Sequence, residues 1–193
     1  MNDQLQAIAA AYESLPSGRT GDPQAEQSDE SFRLEVIEQY RRLPVRVETW
    51  QSQGQPYATS SEMFADLDTN GRLYVYTGGE EHPFLSRDEN VMLRAVHDFY
   101  GHFLGRFSFG PRGEVLAWRV HCLMFSEEAK PAVTAETLGQ NCWFEFGPFR
   151  HLPRPLRPFA EQKASLLPEA LWRPIESHFS NGPMIPFSHG EMT

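Results

Sequence analysis

Two histidines and an aspartate fall within six residues of this chain, in the run His97-Asp98-Phe99-Tyr100-Gly101-His102. The residues around the run predict a strongly apolar helix, in which polar side chains need partners. An unpartnered buried polar group costs about 1–3 kcal/mol. A metal ion would satisfy both imidazoles at once, because neutral histidine is a common metal ligand. His97 and His102 are therefore candidate metal ligands.

The spacing of the two histidines limits how they can share an ion. On an ideal α-helix of 3.6 residues per turn, His97 and His102 lie about 140° apart around the axis. They can converge only if the ion sits toward their shared edge or if the helix is distorted near Gly101. The alternative is one core histidine bonded to the backbone and one surface histidine.

A second apolar helix is predicted near Pro111–Phe125. Glu114, Trp118 and His121 line one of its faces by helical spacing. Glu114 and His121 could be metal ligands, catalytic groups or groups that orient ligands, whereas Arg119 could pair with a carboxylate. Trp118, together with Tyr100 of the preceding helix, is a candidate for substrate contact.

A third helix is predicted from Pro131 to Phe146, where Gly-Pro ends it. Glu145 falls on its apolar stripe, which is unusual for a carboxylate without a cation or strong donor. Glu136 lies on the opposite, polar stripe and is a candidate catalytic residue. Gln140 and Asn141 are neutral amides suited to hydrogen bonding with a substrate.

Two neutral histidines and one carboxylate leave positions open on a metal ion, as in non-haem Fe(II) oxygenases. Zn(II) is also compatible with such ligands, and a spare glutamate, Glu114 or Glu136, would then act as general base toward bound water. The third ligand stays open among Glu145, Glu136 and Glu114. The expected substrate is a small molecule.

The motif resembles the HDxxGH iron motif of the aromatic amino acid hydroxylases. That family takes its third ligand from a glutamate in an EFG context, which matches Glu145-Phe146-Gly147 here. The resemblance covers about fifty residues and implies His97, His102 and Glu145 as ligands of a mononuclear iron. It does not extend to pterin-binding residues, so neither pterin nor substrate is carried over.

The centre of the chain also resembles small proteins of phages and mobile elements. Their RAVHDxxGH, GE and ETxGQN patterns match Arg94–His102, Gly113-Glu114 and Glu136–Asn141. This resemblance implies Glu114 and Glu136, rather than Glu145, as site residues. It also supports a rival hypothesis, in which a non-enzymatic helical protein binds a partner through its aromatic surface.

Composition narrows the class of protein. The net charge of −9 over 193 residues argues against broad nucleic-acid binding. No apolar run is long enough for a membrane span, and the first residues lack the pattern of a secretory signal. Cys122 and Cys142 lack metal-site spacing and are expected to be reduced core thiols of a cytoplasmic protein. The oligomeric state is left open.

The predicted fold class is α+β and predominantly helical, with a central three-helix core and a small N-terminal β-sheet. Strands are expected at 45–50 and 72–77, and short helices near 159–166 and 169–172. Residues 1–31 are expected to form a helix and a mobile linker. Residues 32–179 are predicted to form one globular domain, followed by a loosely ordered tail at 180–193.

Overall fold

The protein was analysed as a computed structural model, which describes residues 2–78 and 81–178. The fold is predominantly helical α+β, as predicted. The tail predicted at 180–193 lies outside the described residues. In chain order the elements are α1 (Asn2–Ser14), α2 (Pro23–Arg41), β1 (Arg46–Trp50), α3 (Ser60–Asn70), β2 (Arg72–Tyr76), α4 (Arg87–Val96), a first π segment (His97–Phe103), α5 (Pro111–Cys122), α6 (Lys130–Thr134), a second π segment (Ala135–Gly139), α7 (Gln140–Phe146), a short 3₁₀ turn (Arg154–Leu156) and α8 (Glu169–His178).

The small sheet consists of β1 and β2, which pair in parallel. Their register runs from Arg46 opposite Arg72 to Trp50 opposite Tyr76, so both predicted strands are confirmed. A parallel pair needs a crossover connection, and α3 provides it. The buried face of this unit packs against Ala95 of α4 and Phe99 of the first π segment. The sheet therefore supports the helix that carries the histidine motif.

The predicted linker is wrong over residues 23–31, which form the first half of α2. Asp22 caps this helix by accepting a hydrogen bond from the Gln24 N–H, and proline at the first helical position already has the required φ. The buried face at this end consists of Ala25, Ser28 and Asp29, which are small or polar. This part of α2 is stabilised by tertiary packing of small and polar residues, so the hydrophobic pattern of the sequence does not predict it.

The helix predicted near 159–166 is also absent, because this segment follows an irregular course between the 3₁₀ turn and α8. Its contacts are to the end of α1: Tyr12 donates a hydrogen bond to the Glu161 carbonyl at 2.7 Å, and the buried Lys163 ammonium donates to the Leu15 carbonyl. Tertiary hydrogen bonds thus replace the helical ones. The following helix is longer than predicted and extends from 169 to 178.

The three central helices form where the sequence predicts them. Ser86 and Glu89 make the expected capping box at the start of α4. That helix continues into the first π segment, and the helix from 130 to 146 contains the second one. Trp118 of α5 and Trp172 of α8 are fully buried in the main core. Within the described ranges, no helix has both the length and the apolar character needed to cross a membrane.

Candidate metal centre

One donor atom from each of His97, His102 and Glu114 lies within 4.8 Å of the other two. Glu114 Oε2 is 3.3 Å from His102 Nε2 and 3.9 Å from His97 Nε2. Donors about 2.0–2.2 Å from a shared ion stand about 3.0–3.5 Å from one another. Small side-chain movements would therefore bring these three donors to bonding distance of one ion. Among the described His, Cys, Asp and Glu residues, these three have donor atoms close enough together to share one ion.

The π segment brings the two histidines together. In a π-helix the backbone hydrogen bonds span five residues, so residue i+5 lies one turn above residue i. Phe99 accepts such a bond from the Leu104 N–H at 3.1 Å. The rings of His97 and His102 consequently lie with centroids 5.1 Å apart. This is the helical distortion near Gly101 that the sequence required for a shared ion.

Two glycines allow α5 to pack closely: Gly101 lets it pack against the π segment, and Gly113 lets it pack against the loop before the helix. A Cβ at Gly101 would lie 3.2 Å from the Ala117 carbonyl oxygen of α5 and 3.2 Å from His97 Nδ1. A Cβ at Gly113 would lie 1.9 Å from the Ser108 carbonyl oxygen, which leaves no room for a side chain. Gly113 directly precedes Glu114 in the first turn of α5. Both glycines therefore influence the position of the Glu114 carboxylate relative to the two histidines.

The tautomer of His102 is set by the turn after the π segment. His102 Nδ1 lies 2.9 Å from the Phe107 carbonyl oxygen, which can only accept, so Nδ1 carries the proton. The Phe107 N–H in turn donates to the His102 carbonyl at 3.0 Å. Neutral His102 therefore presents the lone pair of Nε2 to Glu114. This is the usual second-layer arrangement of a metal-ligating histidine.

The tautomer of His97 is set through His121 and Gln39. The Gln39 amide nitrogen donates to the Met124 carbonyl at 3.5 Å, which turns its oxygen toward His121. That oxygen accepts from His121 Nε2 at 2.8 Å, so His121 Nδ1 has a free lone pair. His121 Nδ1 lies 3.3 Å from His97 Nδ1 and accepts its proton in a hydrogen bond. His97 Nε2 is then left with a lone pair facing Glu114.

Charge at the centre follows from this geometry. Burial raises the pKa of a carboxyl group, but the neighbouring imidazoles of His102 and His97 outweigh it and hold the pKa of Glu114 well below its usual value. Burial likewise opposes protonation of His102, and the hydrogen bond and charge of Glu114 overcome this and raise its pKa. Burial holds the pKa of His121 well below its usual value. These directions favour a proton shared between His102 and Glu114, and a metal ion would have to displace it.

Glu145, the ligand implied by the hydroxylase resemblance, does not join the histidines. Its Oε1 lies 2.8 Å from an Arg154 guanidinium nitrogen, and its Oε2 lies 3.0 Å from Arg157. Both arginines belong to the proline-rich segment after α7, which folds back over the helix. The cation that explains a carboxylate at this position is thus an arginine pair. The structure places Glu114, and not Glu145, beside His97 and His102.

Glu136, the other candidate carboxylate, lies in the second π segment within a separate polar cluster. Its Oε2 is 3.0 Å from His82 Nε2 and accepts a hydrogen bond from Gln140 at 2.6 Å. Burial and the charge of Glu136 raise the pKa of neighbouring Asp29 to about 7. We call Asp29, His82 and Glu136 the acidic cluster. The structure does not bring Glu136 or Gln140 to the histidine pair.

The remaining predicted substrate-contact residues, Trp118, Tyr100 and Asn141, lie in different parts of the structure. Trp118 is fully buried, and its indole N–H donates to Thr134 Oγ1 at 3.1 Å, so it is a core residue. The Tyr100 ring stacks on His121 with centroids 6.4 Å apart, which places it next to the centre. Asn141 is half-buried on α7, beside Gln140.

Gln39 is the site residue that sequence reasoning missed. It is 8% exposed and follows Phe32 and Val36 at helical spacing on the buried face of α2. A polar side chain at a core position of an amphipathic helix needs a buried partner. That position was the available signal, although the sequence alone does not reveal that the partner is His121.

Comparisons of the chain with protein-family models, with curated proteins and with solved structures found no match. The resemblances to the hydroxylases and to the phage and mobile-element proteins therefore stay predictions. Arguments about activity rest on the geometry of the described residues. That geometry is a pair of histidines and one glutamate with converging donor atoms.

Proposed function

We propose that His97, His102 and Glu114 bind one divalent transition-metal ion and that the protein is a metal-dependent enzyme acting on a small substrate. One observation carries this proposal: His97 Nε2 and His102 Nε2 lie 3.9 and 3.3 Å from Glu114 Oε2, and with both histidines neutral all three atoms are acceptors. Such acceptors repel one another unless a proton or a metal ion lies between them. The partners of both Nδ1 atoms orient the rings toward that point.

We propose a mononuclear Fe(II) centre as the first version of this function. Two histidines and one carboxylate on one side of an ion are the ligand set of non-haem iron oxygenases, and they leave positions open for other ligands. Bound Fe(II) would supply oxygen activation for hydroxylation of the substrate. In that reaction the chain holds the ion with three side chains and orients two of them through Phe107 and His121.

The hydrolytic version with Zn(II) is the second candidate, because zinc also accepts two histidines and a glutamate. It requires a further carboxylate as general base toward bound water. Of the two glutamates that the sequence offered for this role, Glu114 serves as a donor. Glu136 faces His82 and Gln140 in the acidic cluster. Neither glutamate is therefore available as the general base, which favours the iron version over the zinc version.

Metal analysis of protein purified without a histidine tag tests the proposal. Anaerobically purified or Fe(II)-reconstituted protein is expected to retain close to one equivalent of metal. His97→Ala, His102→Ala and Glu114→Gln should each lose it, while Glu145→Gln and Glu136→Gln should retain it as matched controls. The metal that is retained, iron or zinc, distinguishes the two versions.

The opposite results would decide against the proposal. A folded protein that neither retains nor takes up iron or zinc supports the non-enzymatic interaction protein instead. Retention by Glu114→Gln together with loss in Glu145→Gln would restore the ligand set implied by the hydroxylase resemblance. Circular dichroism of each variant confirms that a loss of metal is not a loss of fold.

A further inference from the structure

A groove of about 520 Å³ runs along α4, where this helix faces the residues that follow β2. Its volume is within the range of about 300–1,000 Å³ that is typical of small-molecule sites. Arg94, Asn90 and Val91 line it from the helix, and Thr77 lines it from the opposite side. None of the three proposed metal donors lines it, so the groove is a distinct feature.

Arg94 is held rigidly in this groove but lacks a matching negative charge. Its Nη1 donates to the Tyr76 carbonyl at 2.6 Å and to the Gly78 carbonyl at 2.9 Å. Among the described residues no carboxylate forms an ion pair with it, and Asp98, one helical turn further on, also lies outside ion-pair distance. Burial lowers the pKa of Arg94, and the charge of Asp98 offsets this only in part. A half-buried charge without an ion-pair partner among the described residues is costly, so an anion would stabilise this site.

Asn90 is a second polar residue that lines the groove. As a whole residue it is only 9% exposed. Asn90 and Arg94 are four residues apart on α4 and thus lie on the same side of it. Together they offer an amide and a guanidinium to one ligand.

The other charged residues of the groove do not provide the same selectivity. Arg87 and Glu81 both line it, but both are exposed and carry opposite charges. Solvent screens such exposed charges, and their contributions oppose each other. Arg94 is therefore the less exposed of the two arginines in the groove, and its charge is the less screened. Val91 and Leu85 supply apolar surface for the body of a ligand.

One residue of the groove, Arg94, lies on the same helix as a proposed metal ligand. Arg94 precedes His97 by three residues, and His97 still has α-helical dihedral angles. Side chains three residues apart on a helix are neighbours, with Cβ atoms about 5–6 Å apart. A small molecule anchored at Arg94 therefore lies one helical turn from a proposed metal ligand.

We propose that this groove binds a small molecule through a carboxylate or phosphate group at Arg94, with Asn90 as the second contact. Planar guanidinium groups recognise such oxyanions through paired, charge-assisted hydrogen bonds. Naming this molecule the substrate rests on the proposed metal-dependent function. Anion binding itself requires no metal.

Titration of the full-length chain with two probes, inorganic phosphate and benzoate, tests the groove. Bound metal is first removed by chelation, so that the probes cannot coordinate a metal ion instead. At constant ionic strength with chloride as reference, we expect saturable binding of at least one probe, followed by calorimetry or NMR shifts. Arg94→Gln should weaken it at least about tenfold, since one hydrogen bond to a charged group contributes about 1.5–3 kcal/mol. Arg87→Gln, at an exposed position, is the matched control and should bind as the wild type does.

A second variant guards against misfolding, because Arg94→Gln also removes hydrogen bonds to two backbone carbonyls. Val91→Trp keeps the guanidinium and fills the groove, and it should also abolish binding. Absence of saturable binding in the wild type, or an affinity equal to that of the wild type in both Arg94→Gln and Val91→Trp, overturns the proposal. Binding of benzoate alone assigns a carboxylate ligand, and binding of phosphate alone assigns a phosphate.

Metal titration of the same samples separates this proposal from the proposed function. If Arg94→Gln no longer binds the anion but still takes up a full equivalent of metal, the result supports both the groove and the metal-dependent function. Anion binding by a wild-type protein that takes up no metal supports the groove and overturns the metal-dependent function.

Discussion

His97 and His102 lie one π-helical turn apart, with ring centroids separated by 5.1 Å and ring planes at 89° to each other. An α-helical course over the same residues would turn the two side chains about 140° away from each other. Isolated π turns are rare and occur frequently at functional sites. The backbone of this segment is therefore part of the candidate centre, since it decides whether two histidines can serve one ion.

Removing the Gln39 acceptor should weaken metal binding without touching a ligand. In Gln39→Ala, His121 is free to change tautomer, so His97 loses the acceptor that keeps its proton on Nδ1. Loss of such second-layer partners typically costs about 10–100-fold in metal affinity. Competition with a chelator measures the affinity, and ¹⁵N shifts of the His97 ring report the tautomer.

Gln39→Glu is the matched control for this prediction, because it keeps an acceptor oxygen opposite His121 Nε2. It should retain most of the affinity. Equal affinity in Gln39→Ala and the wild type would show that the relay through His121 does not orient His97.

Gly101→Ala should both destabilise the protein and weaken the centre. The added Cβ would lie 3.2 Å from the Ala117 carbonyl oxygen and 3.2 Å from His97 Nδ1, so backbone or ligand must shift. Overpacking of this kind typically costs about 1–3 kcal/mol. Denaturant unfolding measures the change in the free energy of unfolding, and chelator competition measures the change in metal affinity.

Gly110→Ala is the control for the added methyl group, since its Cβ would lie in ordinary contact with Ser108 Oγ at 3.8 Å. This variant should bind metal as the wild type does. If Gly101→Ala leaves metal affinity and stability unchanged, the close approach of the π segment to α5 does not matter for the centre.

Metal affinity should rise with pH over the range in which His102 is protonated. In the metal-free protein, Glu114 raises the pKa of His102 against the effect of burial, so a proton occupies the place of the ion. Metal binding must displace that proton, which makes the apparent affinity increase about tenfold per pH unit below the pKa of His102. Above that pKa the dependence should level off.

Chelator competition at a series of pH values measures this profile. Glu145→Gln should reproduce it, because its carboxylate pairs with Arg154 and Arg157 away from the centre. An affinity that does not change between pH 5 and the pKa of His102 would contradict proton displacement from the centre.

Asp29 should make the protein less stable as the pH rises toward neutrality. Burial and the charge of Glu136 raise its pKa from 3.8 to about 7, so the folded state holds a proton that the unfolded state releases. The free energy of unfolding should therefore fall between these two pH values, by at most about 1.4 kcal/mol per pH unit. Above pH 7 the contribution of Asp29 becomes constant.

Asp29→Asn removes this titration and keeps the shape of the side chain. Chemical denaturation at several pH values should show a smaller decrease in stability for the variant than for the wild type. An identical slope in the two proteins would show that Asp29 is not protonated in the folded state near pH 6.

Local signals in the sequence were sufficient for many elements of the fold. The capping box of Ser86 and Glu89 and the alternating residues of the two strands act between near neighbours in the chain. They therefore predicted the start of α4 and the positions of β1 and β2. The same signals did not predict a helix at residues 24–31, because the buried side of α2 carries small and polar residues there.

The third donor shows where local reasoning stops. Glu145 has the more suggestive surroundings in the sequence, namely an apolar stripe and an EFG context. Its carboxylate is nevertheless neutralised by Arg154 and Arg157, which reach it from the following proline-rich segment. Glu114 instead meets the histidines because Gly101 and Gly113 permit close packing around the start of α5.

The sequence by itself determined the chemistry available to this protein: two histidines five residues apart, several carboxylates in apolar helices and a mainly helical fold. The tertiary structure alone decided which of these groups meet. Hydrogen-bond patterns such as the π segment, and contacts between residues as distant as Gln39 and His121, depend on packing between elements. Such contacts leave no periodic signal in the chain, because each side chain only has to fit the partner that folding brings to it.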